Sequence, residues 1–139
     1  MENKRTICLM NDSFPPLIDG VANTVVNYAT YIQKNHGKAI VATPYNPEAR
    51  DNYPFSVVRY RSFDTSRIVG YRAGYPFSVE ARKRLKEAHI DLIHSHCPFV
   101  STFLARTVRS AIDVPVVFTY HTKFDVDIAK IVGDHPTLQ

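Results

Sequence analysis

Short apolar runs alternate along this chain with segments of helical periodicity, and that alternation constrains the fold more than any other feature. Residues 4–10 (KRTICLM), 39–42 (AIVA), 55–60 (FSVVRY), 91–96 (DLIHSH) and 115–120 (PVVFTY) read as five strands. Several hold apolar residues at successive positions, as strands covered on both faces do. Between them, Val21, Val25, Tyr28 and Ile32 recur at helical spacing as far as His36 and Gly37, where glycine suits a helix end. Ser78 is placed to cap a helix reaching about His89, with Val79, Ala81, Leu85 and Ala88 as its apolar stripe. A further helix is expected over 99–112 through Val100, Leu104, Val108 and Ala111, with Pro98 suited to its first turn. Residues 62–77 read as irregular, and a short helix or lid is expected over 124–132. Strands alternating with helices in this way imply an α/β, Rossmann-like three-layer domain with a parallel sheet. In such domains ligands gather at the carboxyl ends of the strands, near the point where strand order reverses.

Composition narrows the class. The 139 residues suffice for one domain with a real core, and the 45% hydrophobic content with a net charge of +4 excludes a disordered chain. The apolar runs are far shorter than the roughly 20 residues that span a bilayer, and no signal-peptide pattern opens the chain. Two cysteines, Cys8 and Cys97, are too few for a disulfide scaffold, so a reduced, cytoplasmic setting is the expectation. Neither a GxGxxG fingerprint nor a GxxxxGK[ST] loop is present, which argues against nicotinamide-dinucleotide and simple P-loop chemistry.

Three polar segments follow the expected strands at 4–10, 91–96 and 115–120, and should meet on one edge of the sheet. In the first, 12–20, Gly20 stands where a helix begins; there the backbone can approach a ligand and free N–H groups favour an anion such as a diphosphate. A simple turn is the alternative reading of that glycine. In the second, 94–98, His94 and His96 point to the same side of a strand and could grip a substrate or a metal, with Cys97, His121, Asp125 and Asp127 as possible additions. In the third, 120–125, His121 can donate to a sugar hydroxyl or a phosphate oxygen near neutral pH.

The segments 11–25 (NDSFPPLIDGVANTV), 91–99 (DLIHSHCPF) and 118–125 (FTYHTKFD) together resemble the amino-terminal half of retaining glycosyltransferases of family 4, which have the GT-B fold. Their order and spacing are nearest to the branch holding diacylglycerol glucosyltransferases and phosphatidylinositol mannosyltransferases. The resemblance implies a hexosyltransferase whose nucleotide-sugar donor is a substrate, with no metal and no other cofactor. It makes residues 1–139 the acceptor-side domain and assigns the donor motifs to a carboxyl-terminal domain outside this sequence, so that the chain alone should be inactive. By motif, His121 becomes the active-site histidine facing the donor sugar, and Gly20 with Val21 the turn that meets the donor diphosphate. Asp12, Asp19, His96, Tyr120 and Thr122 would line the acceptor side. Many family members carry a Gly-Gly pair at this loop; here Asp19 takes the first place, which weakens the diphosphate role of Gly20 and suggests contact between Asp19 and acceptor hydroxyls.

Charge is unevenly spread. Arg59, Arg61, Arg67, Arg72, Arg82, Lys83, Arg84 and Lys86 fall within 28 positions, against Asp64 and Glu80 alone. The bland reading is a solvated helix face beside a basic loop. For lipid-acting members of the resembled family, a basic segment of this domain docks on anionic membranes; Arg82, Lys83, Arg84 and Lys86, backed by Tyr71, Tyr75 and Phe77, would be that surface and the protein peripheral to the membrane. Nucleic acid is not an expected partner. Two alternatives stand beside the transferase: a stand-alone module binding a sugar phosphate or nucleotide, and a metal hydrolase using His94, His96 and His121.

Overall fold

The computed structural model describes residues 4–17, 19–69, 72–97, 99–119 and 121. In chain order the elements are β1 (Arg5–Met10), α1 (Gly20–Asn35), β2 (Gly37–Pro44), β3 (Ser56–Tyr60), β4 (Ser62–Phe63), α2 (Ser66–Val69), β5 (Ala73–Gly74), α3 (Val79–Glu87), β6 (Leu92–Ser95), α4 (Val100–Ile112) and β7 (Val116–Phe118). The five longer strands that the apolar runs predict, β1, β2, β3, β6 and β7, make one parallel sheet in the order β3-β2-β1-β6-β7. The centre of the sheet is the most enclosed: Cys8, Leu9 and Met10 of β1 have no exposed surface.

Strand alternation divides the interior into two layers. Leu9, Ala39 and Val41 face one way and pack with Phe14, Val25, Ala29 and Phe55, so α1 covers that face. Cys8, Met10, Ile40, Ala42, Val58 and Ile93 face the other way, against Ala81 and Leu85 of α3 and Leu104, Ala105 and Val108 of α4. Each large side chain enclosed in this way contributes roughly 1.5–3 kcal/mol. This is the Rossmann-like, three-layer α/β arrangement expected from the alternation of strands and helices.

Several local expectations need correction. Val79 is 70% exposed and Ala111 is also exposed, because both stand at the solvent side of helices whose core contacts come from Ala81 and Leu85 and from Leu104 and Val108. Residues 62–77 are not wholly irregular: β4 and β5 pair antiparallel, and α2 lies between them. Gly37 does not end α1 in a left-handed turn. The helix closes at His36, whose N–H donates to the Ile32 carbonyl, and Gly37 opens β2 at φ 156°, where a Cβ would collide with the Arg5 carbonyl. Gly70, Tyr71, Pro98, Tyr120, Thr122, Asp125, Asp127 and the helix expected over 124–132 lie outside the described residues.

The path of the chain locates the cleft. From β1 it steps outward through β2 to β3, then crosses back to lay β6 on the other side of β1 and β7 beyond it. Strand order therefore reverses between β1 and β6. In open α/β sheets, ligands bind outside the carboxyl ends of strands at such a point.

Candidate functional site

The segments leaving β1, β6 and β7 are tied together past the strand ends. Asn11 N–H donates to the Ala42 carbonyl, His96 N–H to Met10 and Thr119 N–H to Ser95, at 3.4, 2.9 and 3.0 Å. The described residues of the three polar segments therefore share one sheet edge, and they bring a cluster of histidines together there. His94 and His96 project to the α1 face, as their two-residue spacing requires. Their rings lie 4.0 Å apart at 31°, and Tyr28 of α1 stands over both, its centroid 6.2 Å from His94 and 5.6 Å from His96. A ring nitrogen of His94 meets the Thr119 hydroxyl at 2.5 Å. His96 Nδ1 meets His121 Nε2 at 2.7 Å, with those two rings nearly parallel at 19°.

This packing sets the charge state. Burial, joined by repulsion from His94 and then His121, pushes the His96 imidazole down to about 3. Burial first and His121 second push His94 down as well. Both rings are therefore neutral at physiological pH and act as hydrogen-bonding groups. The stacked geometry also turns the nitrogens toward Thr119 and toward each other, instead of converging three lone pairs on one point. Among the described residues no three His, Cys, Asp or Glu side chains are grouped to hold a metal ion. The cysteines offer no nucleophile either. Burial holds Cys8 up at about 12, and burial with the nearby Asp12 charge raises Cys97.

The β1–α1 segment is built differently from its sequence reading. Asp12, expected on the acceptor side, is 6% exposed, and both its oxygens serve α4. Oδ1 accepts from Ser101 N–H at 2.8 Å and from Ser101 Oγ at 2.5 Å, while Oδ2 accepts from Val100 N–H at 3.2 Å. Asp12 is thus an anchor beneath the cleft. Asp19 is the N-cap of α1, its Oδ1 accepting from Ala22 N–H at 2.7 Å. A carboxylate at this position is stabilised by the helix start, which is the physical reason an acidic residue can stand here. Gly20 and Val21 follow in the first turn, where helix geometry supplies no acceptor for their N–H groups. Gly20 is exposed, in helical backbone, and a Cβ added there would meet nothing within 4 Å. The turn reading of Gly20 fails, since the fold itself asks for no glycine.

Arg59, counted with the basic field in the sequence, is withdrawn from it. It pairs with Asp51 at 2.7 Å, donates to the carbonyls of Pro44 and Pro15, and covers the Phe14 ring. It thereby pins the 14–17 turn that leads toward Gly20. The basic helix also divides. Lys83, Arg84 and Lys86 are exposed, whereas Arg82 is half-buried with its Nε enclosed. Next to α3, Phe63, Tyr75 and Phe77 form an edge-to-face chain of exposed rings. Tyr28, Thr119 and Arg59 were not legible as site residues. The signal for Tyr28 was its place on the apolar stripe of α1, which reads as core, yet it is 43% exposed.

The description Glycosyltransferase Family 4 belongs to a family model that matches residues 18–137. An alpha-monoglucosyldiacylglycerol synthase of Streptococcus pneumoniae is 23% identical over 119 residues, covering 86% of this chain and 27% of that protein. The sulfoquinovosyl transferase SQD2 of Arabidopsis thaliana is 24% identical over 131 residues, covering 94% of this chain and 26% of its own length. Among solved structures, a glycosyltransferase from Rickettsia africae superimposes with a TM-score of 0.60 at 14% identity, over 86% of this chain and 30% of that one. The chain thus spans about a quarter of the length of these curated relatives.

Proposed function

The chain belongs to glycosyltransferase family 4, and from that premise we propose that it forms the acceptor-side half of a retaining GT-B hexosyltransferase. The donor is a nucleotide sugar, the acceptor a hydroxyl group, and the donor-binding motifs lie in a carboxyl-terminal domain outside these residues. The observation that carries this reading is the hydrogen-bonded histidine pair, His96 and His121, at the sheet edge beside the β1–β6 reversal. His94 and His96, held neutral by burial, add no cation there to compete for the diphosphate, and His121 stands beside them to meet a sugar hydroxyl.

The chemistry follows from position and charge. The first-turn N–H groups of Gly20 and Val21 face developing negative charge on the leaving diphosphate, with the helix dipole behind them. His121 holds the sugar in its reacting orientation, a contribution of positioning more than of proton transfer. No metal enters this scheme. On the acceptor side, Asp19, Tyr120 and Thr122 are the residues expected to meet the hydroxyl-bearing substrate, whereas His96 is buried and bonded to His121.

The acceptor class we propose is a glycerolipid, in keeping with the synthase name of the Streptococcus relative. Lys83, Arg84 and Lys86 with the exposed Phe63, Tyr75 and Phe77 would then lie against an anionic membrane from the cytoplasmic side. No helix among the described residues is long and apolar enough to cross a membrane, so attachment through this surface would be peripheral.

The test is a transfer assay on the protein carrying this chain with its donor domain. It offers a panel of nucleotide sugars with diacylglycerol, phosphatidylinositol and soluble sugar acceptors, and reads product by mass spectrometry. A glycosylated lipid of retained configuration is the expected result. Tight binding of a nucleotide sugar by the 139-residue chain, with no transfer by the longer protein, would replace the enzyme with a binding module.

A further inference from the structure

Among the described polar rings of the cleft, His96 is the most enclosed. Its main chain is held through Met10, its ring lies against His94 and under the edge of Tyr28, and only 1% of its surface is exposed. From this fixed ring, Nδ1 reaches His121 Nε2 at 2.7 Å.

One proton lies between those two nitrogens, and with a single N–H on each ring it links their outer ends. If His96 carries its proton on Nδ1, its Nε2 is bare, and His121 must accept at Nε2 and carry its own proton on Nδ1. If His121 donates instead, His96 carries an N–H at Nε2 and His121 shows a bare Nδ1. The buried end decides between them. His96 Nε2 is enclosed and has no hydrogen-bond partner among the described residues. An orphaned buried N–H is rarer in proteins than an unpaired acceptor, so the bare Nε2 is the favoured state.

We propose that His96 is a positioning residue that donates from Nδ1 to His121 Nε2 and so fixes His121 as an Nδ1–H donor toward a substrate oxygen. The identity of that oxygen, a hydroxyl or phosphate of a sugar donor, rests on the transferase reading; the pairing of the rings does not. A ring held by a second group presents one tautomer in one orientation, as outer partners do for histidines that bind metals. The arrangement also gives His96 a part distinct from acceptor contact.

Long-range proton–nitrogen correlation spectra of the 15N-labelled chain read the tautomers without substrate. The expected pattern at pH 7.5 is protonated Nδ1 and bare Nε2 on both His96 and His121. Protonation of His121 at Nε2, or averaged signals from a freely exchanging ring, would overturn the proposal. A second measurement uses the longer protein. His96→Phe keeps ring volume and removes the donor; His96→Asn keeps an N–H close to the Nδ1 position. His96→Phe should lower kcat on the order of 10- to 100-fold with little change in KM, and His96→Asn should recover most of it. Wild-type kcat in His96→Phe would also sink the idea. If His96→Phe does not fold, the wild-type spectra still decide. Expected tautomers in a protein that transfers no sugar would leave the pairing intact and refute the transferase reading alone.

Discussion

Asp12 at the end of β1 holds the start of α4 through Ser101, 89 residues further along the chain, accepting from both its N–H and its hydroxyl. The residue at the N-cap position of α4, Phe99, makes no side-chain cap bond. The helix is therefore capped from a distance, and the carboxylate sits at the positive end of its dipole. Because Asp12 precedes the 13–19 segment and α4 follows the histidine segment, this one group ties together the two sides of the strand-order reversal.

Replacing Asp12 with alanine removes the cap and leaves the Ser101 donors buried without an acceptor. The loss should be about 2–3 kcal/mol, combining a missing cap with unsatisfied donors. Asp12→Asn keeps one acceptor oxygen and should recover part of it. Urea unfolding of the chain measures both. An Asp12→Ala midpoint equal to the wild type would refute the capping role.

Gly20 separates stability from function in the opposite sense. A methyl group there meets open space, and alanine is the better helix former, so Gly20→Ala should leave stability unchanged or raise it by up to about 0.5–1 kcal/mol. In the proposed transferase, the same methyl group should obstruct the donor and raise its KM roughly tenfold, a difference of about 1.4 kcal/mol. Wild-type donor kinetics in Gly20→Ala would remove the diphosphate role of this turn.

The sheet and its main helices were legible because apolar runs and helical spacing encode them directly, and Ser78 caps α3 as its position predicted. The site was legible as a place: strand ends carrying Gly20, His94, His96 and His121 were expected on one edge, and the described residues lie there. The connections within it were not. That Asp12 would bind Ser101, that Arg59 would bind Asp51 and Pro15, or that His96 would face His121 depends on side chains 8 to 89 residues apart. No local pattern reports such contacts. One hint was available: the segment CPFV before Ser101 holds no Ser, Thr, Asp or Asn, so a cap for α4 had to come from elsewhere.

The neutral histidines make stability depend on pH. His96 is held near 3 in the folded chain and returns to about 6.5 on unfolding. Below pH 6.5 the unfolded state therefore binds the extra proton, and stability falls as pH drops from about 6.5 toward 3, where the loss levels off. At pH 5 the loss from this group should be between about 1 and 2 kcal/mol, with the depressed His94 adding in the same direction. Unfolding midpoints at pH 7.5 and 5.0 measure the slope, and His96→Asn should flatten it. A wild-type slope retained in that variant would assign the effect to other groups.

The basic surface can be tested apart from the cleft, because the side chains in question take no part in the core. Lys83, Arg84 and Lys86 are exposed on α3, while Ala81 and Leu85 hold the helix to the sheet. Changing the three to glutamate should therefore leave the fold intact, as circular dichroism would register. Each basic residue near an anionic surface contributes about 1 kcal/mol, so removing three weakens attachment roughly a hundredfold, and reversal weakens it further. Co-sedimentation with vesicles containing phosphatidylglycerol should be lost in the triple variant and should fade with salt in the wild type. Phe77→Ser, which removes an exposed ring without altering charge, should weaken binding with little change in its salt dependence. Undiminished sedimentation of the triple variant would show that α3 does not face the membrane, and the exposed rings at Phe63, Tyr75 and Phe77 would then need a different partner.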